Sequence, residues 1–140
     1  SAQVEDIKGV IHQVQNEATA GKADGLAPGQ NLFADRLTFN TSSYTLERTA
    51  DSRTWVPVAT INLPTGITVS PAGAQLVFTA PNERYPSVAT YSVSLSDPSN
   101  YDPSNQSQRE TVTLTLTSLR HSATITVDSF GGRVSSKVAQ

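Results

Sequence analysis

Two histidines, twelve acidic residues and no cysteine are the raw material for any metal or acid–base chemistry in this chain. His12 and His121 stand far apart, and neither lies in a zinc-like H-E-x-x-H spacing. With no thiolate to complete a ligand set, both are read as surface residues, one on a helix and one in a hairpin turn. No G-x-S-x-G turn presents a serine nucleophile, no glycine-rich loop cradles a phosphate, and no acid pair sits in a recognisable glycosidase setting. The expectation is a protein that is not an enzyme and uses no cofactor. The segment Asp97 to Gln108, DPSNYDPSNQSQ, offers hard oxygen donors, with Asp97 and Asp102 as calcium candidates. It breaks the EF-hand pattern: Ser99 and Tyr101 take the second and third ligand positions, Asp102 replaces the glycine, and Gln108 stands at position twelve. Asp-Pro-Ser-Asn is turn chemistry first, so a plain surface loop is favoured. Trp55, Tyr44, Tyr85, Tyr91 and Tyr101 would make a sugar platform only if exposed; core packing is expected for Trp55 and Tyr91, and exposure for Tyr85 and Tyr101.

The chain that must position these groups has 140 residues and a formal net charge of -2, with a pI of about 5.6. That is one ordinary domain, large enough to bury a core without disulfide or metal support. The charge balance lacks the basic excess of a dedicated nucleic-acid binder. No run approaches the roughly 18 apolar residues of a membrane helix, and no signal peptide is recognisable.

One amphipathic helix is predicted over residues 1–20. Val4, Ile7, Ile11, Val14 and Ala18 recur at three- and four-residue steps, with Val10 widening the stripe. Glu5 and Asp6 suit the positive end of the helix dipole, Gly9 costs about 1 kcal/mol against alanine, and Gly21 is a stop. After the Gly/Pro/Ala-rich connection 20–31, strand-like runs follow at 32–40, 43–49, 54–63, 66–70, 75–80, 88–96, 110–117 and 122–129, separated by turn signals. Thr111 to Thr117 and Ala123 to Val127 alternate polar and apolar residues, so one face is buried and the other meets solvent. Leu119-Arg120-His121 joins them as a tight hairpin. One helix followed by antiparallel strands is an α+β domain whose helix stripe and sheet face bury each other.

The order of these elements resembles the GspH/FimT-type minor pilins and pseudopilins. Ile61-Asn62-Leu63-Pro64-Thr65-Gly66-Ile67-Thr68-Val69-Ser70 is similar to that family's LP-x-G-[VI]-x-[VI] turn. Leu76-Val77-Phe78-Thr79-Ala80-Pro81-Asn82 resembles the following strand and turn, with Asn82 and Glu83 where a glycine is usual. Ala123 to Val134 resembles the closing strand and G-R-[VI]. The likeness covers the whole chain, read as a single pilin-like domain: residues 1–20 as the C-terminal half of the family's long helix, and 32–134 as the β-rich head. It implies an apolar segment upstream that anchors the protein in the bacterial inner membrane, a periplasmic head, and assembly into a type IV pilus or type II secretion pseudopilus at the cell surface. The implied partners are other pilin or pseudopilin subunits. Val4, Ile7, Ile11 and Val14 would bind the helix to its own head, while the upstream rod packs in the filament core through apolar burial.

The resemblance also implies a second role. Some FimT-like pilins bind double-stranded DNA through a C-terminal G-R-x-R element. Gly132-Arg133-Val134-Ser135 keeps the first arginine and lacks the second, with Lys137 as a partial substitute and Arg120 on the adjacent hairpin. Phosphate binding needs several cations together. The sequence therefore supports a structural filament subunit first, a DNA-binding pilin second, and a secreted β-sandwich adhesin or carbohydrate-binding module third.

Overall fold

The computed structural model describes residues 2–81, 90–93, 111–129 and 132–139. Helix α1 (Ala2–Thr19) is followed by nine strands: β1 (Ala34–Phe39), β2 (Ser43–Thr49), β3 (Val56–Asn62), β4 (Thr68–Ser70), β5 (Ala74–Thr79), β6 (Thr90–Val93), β7 (Thr111–Thr117), β8 (Ser122–Asp128) and β9 (Val134–Val138). They form two sheets, ordered β3-β2-β1-β5-β6 and β4-β7-β8-β9, and every pairing is antiparallel. The coarse expectation, one N-terminal helix on antiparallel sheets, is met.

Helix α1 lies against β1 and β5 of the first sheet and β8 of the second. Its stripe of Val4, Ile7, Ile11, Val14 and Ala18 is fully buried. These side chains join Leu37 and Phe39 of β1, Leu76 and Phe78 of β5, and Leu114, Ile125 and Val127 of the second sheet in one core. The reason is periodicity: residues two apart on a strand share a face, and residues three or four apart on a helix share a stripe. The helix ends in a Schellman turn, where Gly21 at φ 69° places its N–H on the Ala18 carbonyl and the Lys22 N–H on the Glu17 carbonyl. The β7–β8 hairpin closes with the Ser118 N–H donating to the His121 carbonyl.

Four expectations need correction. The β-rich head does not end at residue 134: β9 continues to Val138 and pairs with β8 from Val127↔Val134 to Ala123↔Val138. It was illegible because its pattern, Val-Ser-Ser-Lys-Val, carries only two apolar residues and four of its five positions are exposed. The run at 54–63 forms a strand only over Val56–Asn62, and the run at 66–70 only over Thr68–Ser70. Trp55 precedes β3 and is half-buried outside the core. The calcium candidates Asp97 and Asp102, with Tyr85 and Tyr101, lie outside the described residues.

Candidate functional site

Two surfaces and one buried cluster carry the polar chemistry of the described chain. The first surface is the outer face of α1. With Val4, Ile7, Ile11 and Val14 turned into the core, Glu5, Asp6, Gly9, His12, Gln13 and Asn16 are left exposed along the opposite side. Gly9 sits mid-helix on that face, and nothing stands within 4 Å of where its Cβ would be. A glycine there weakens the helix and serves no packing purpose within the described chain. The inward edge of the helix is tied to the second sheet by Lys8, whose Nζ donates to Ser136 Oγ at 3.2 Å, and by Gln15, whose Nε2 donates to the Gly132 carbonyl at 3.1 Å.

The second surface holds the cations considered for DNA. Arg120, Arg133 and Lys137 are all exposed, and the ion pairs found among the described residues use none of them. The fold does not gather them. Arg120 is in the β7–β8 turn at the start of β8, whereas Arg133 lies beyond its far end, where its carbonyl accepts the Asp128 N–H. The strand between spans about 20 Å. Lys137 pairs opposite Thr124, roughly 13 Å along β9 from Arg133. Proximity of Arg120 to Arg133 is therefore corrected: strand connectivity puts them at opposite ends of one strand. The remaining face between them is lined with hydroxyls, from Thr113, Thr115, Thr124, Thr126 and Ser135.

Trp55 makes no open platform on both ring faces, because the Arg36 guanidinium stacks 4.2 Å from its ring centroid. Arg36 also grips Glu47 with two bonds of 3.0 and 2.9 Å, and Thr38 Oγ1 donates to the same carboxylate. Burial would raise Glu47, but the hydrogen bonds from Arg36 and Thr38 hold its carboxyl below the usual range.

The buried cluster was missed at the level of sequence. Asp35 on β1 and Arg48 on β2 are paired neighbours in the sheet and almost fully inaccessible. Arg48 Nε donates to Asp35 Oδ1 at 3.0 Å, and its terminal nitrogens donate to Glu17 Oε1 of α1 at 2.6 Å and to the Asp24 carbonyl at 2.8 Å. Asp35 Oδ2 is buried with no hydrogen-bond partner among the described residues. Burial, only partly offset by Arg48, pushes the Asp35 carboxyl up to about 6. A signal existed: Asp35 shares parity with Leu37 and Phe39, and Arg48 with Tyr44 and Leu46, so alternation alone turns both inward.

Among the described residues, no three His, Cys, Asp or Glu side chains are grouped to hold a metal, and no helix is long and apolar enough to cross a membrane. No protein-family model matches the chain, and no curated protein and no solved structure matches it.

Proposed function

We propose that this chain is the head and adjoining helix of a structural filament subunit of the minor-pilin or pseudopilin type, anchored in a bacterial inner membrane and assembling with other such subunits into a type IV pilus or type II secretion pseudopilus. The observation that carries this reading is the division of labour on α1. One stripe fixes the helix to its own two sheets, and the opposite face is left polar, exposed and interrupted by Gly9. Such a helix is a rigid strut that carries a β-rich head, the arrangement a filament of parallel rods requires. The dispersal of Arg120, Arg133 and Lys137 supports assembly over DNA binding, because salt-sensitive phosphate binding draws on clustered cations.

These 140 residues contain no cysteine, so a thiol introduced on the outer face of α1 has no native thiol beside it in this domain. Full-length protein carrying His12→Cys or Gln13→Cys, cross-linked in the producing cell, is expected to form adducts with other filament subunits. A thiol at either position that captures no such subunit, in cells that still build filaments, contradicts the reading.

A further inference from the structure

We propose that the Glu17–Arg48–Asp35 cluster is a proton-operated latch, in which a proton taken up on Asp35 tightens the docking of the end of α1 and its connector onto the first sheet. This inference does not depend on the assembly reading above. A single guanidinium joins three separate parts of the chain: β1 through Asp35 at 3.0 Å, α1 through Glu17 at 2.6 Å, and the connector through the Asp24 carbonyl at 2.8 Å. Glu17 is also the residue whose carbonyl closes the helix-ending turn. The latch therefore grips the helix where it gives way to the loop.

The charge count leaves room for a proton. Two carboxylates share one arginine in a site where Asp35 is fully buried and Arg48 is 2% exposed. Among the described residues, one additional cation bears on Asp35: Lys22, which sits 3.9 Å from Glu17 at the mouth of the cluster. With both acids ionised, Arg48 and Lys22 match them in number, but Lys22 is exposed and reaches only Glu17, so inside the buried site one guanidinium is shared by two carboxylates. Asp35 Oδ1 is occupied by Arg48, whereas Oδ2 meets neither donor nor acceptor among the described residues. An ionised oxygen left buried without a donor is costly, and a neutral acid there is less so. The charged groups facing Asp35 are thus Arg48 from β2, Glu17 from α1 and Lys22 from the connector. Burial and the Glu17 charge raise its affinity for a proton, while Arg48 and Lys22 lower it.

The direction of the switch follows from linkage. When the helix end lifts, Asp35 meets water and returns towards an ordinary carboxylate affinity. The docked state holds the proton more tightly than the open state, so protonation favours docking. The proton comes from solvent and goes to Oδ2, and Oδ1 continues to accept from Arg48 Nε. With an open-state value of 3.8 and a docked value of about 6, the docking equilibrium gains about tenfold between pH 7 and pH 5.

Carbon-detected NMR of the Asp35 carboxyl, together with amide hydrogen exchange of residues 15–24 corrected for the intrinsic pH effect, tests this directly. The expected result is a carboxyl that titrates near pH 6 and about tenfold greater protection of those amides at pH 5 than at pH 7. Glu17→Gln relieves the competition for Arg48 and is expected to lower the Asp35 midpoint. Asp35→Asn is expected to abolish the pH dependence of protection. If Asp35 of the parent protein titrates at or below the ordinary carboxylate range, or if protection of residues 15–24 is the same at both pH values, the latch is overturned, whatever the variants do.

Discussion

At the residue scale, the chain's strongest polar commitments are inside it. Arg48 is held by two carboxylates and a carbonyl, and removing it leaves the buried Asp35 carboxylate without its donor. Arg48→Ala is expected to destabilise the domain by about 3–5 kcal/mol in denaturant unfolding at pH 7.5, and by clearly less at pH 5, where Asp35 is neutral. The pH dependence of the parent has a definite sign. A carboxyl raised from 3.8 to about 6 on folding contributes stability that is full below about pH 4 and is lost as pH rises through about 6. The difference is worth at most about 3 kcal/mol. Glu47 acts in the opposite sense, because its lowered carboxyl loses its contribution as pH falls. Comparing the parent with Asp35→Asn between pH 4 and pH 7 isolates the first effect, and parallel stability curves would contradict it. At the surface, Arg120, Arg133 and Lys137 are separate charges. The described domain is expected to leave double-stranded DNA unshifted at low salt; salt-sensitive binding weakened by Arg133→Ala and Lys137→Ala would revive the DNA-binding reading.

At the scale of elements, α1 is the part of the fold most legible in the sequence. The three- and four-residue recurrence from Val4 to Ala18 names the buried stripe residue by residue, because the helix packs on a core that demands one continuous apolar face. Ile11 is fully buried at the middle of that stripe, and Ile11→Ala is expected to cost about 2–5 kcal/mol in chemical denaturation. Gly9 predicts the reverse. Its position is helical and has open space for a methyl group, so Gly9→Ala is expected to stabilise the isolated domain by about 1 kcal/mol. If the same substitution impairs filament assembly, the outer face of α1 is where another helix approaches closely. Alternation made β7 and β8 legible for the same reason as the helix, since both have one face buried. It failed at β9 because an edge strand with four exposed positions is shaped by backbone pairing to β8, which leaves almost no side-chain pattern. Asp35 and Arg48 were hidden differently: their inward parity was readable, but their polar character masked it, and their meeting with Glu17 depends on a helix-to-sheet contact between distant parts of the chain.

At the scale of the whole molecule, the fold is a strut fixed to a two-sheet head. The α+β class, the N-terminal helix and the burial of its stripe followed from the sequence. The sheet order β3-β2-β1-β5-β6 and β4-β7-β8-β9 did not, because pairing between strands remote in sequence leaves no local mark. Connectivity sends Arg120 and Arg133 to opposite ends of β8, and packing of α1 across both sheets leaves its outer face open. The proposed role is that of a subunit built into a filament. The most direct measurement is to shear or extract filaments from cells that make the full-length protein and to ask by mass spectrometry and immunolabelling whether this subunit is in them. Its presence at a reproducible ratio to other subunits is expected, with a lower ratio for Gly9→Ala. Intact filaments that never contain it, with the protein found only free in the periplasm or medium, would contradict the claim.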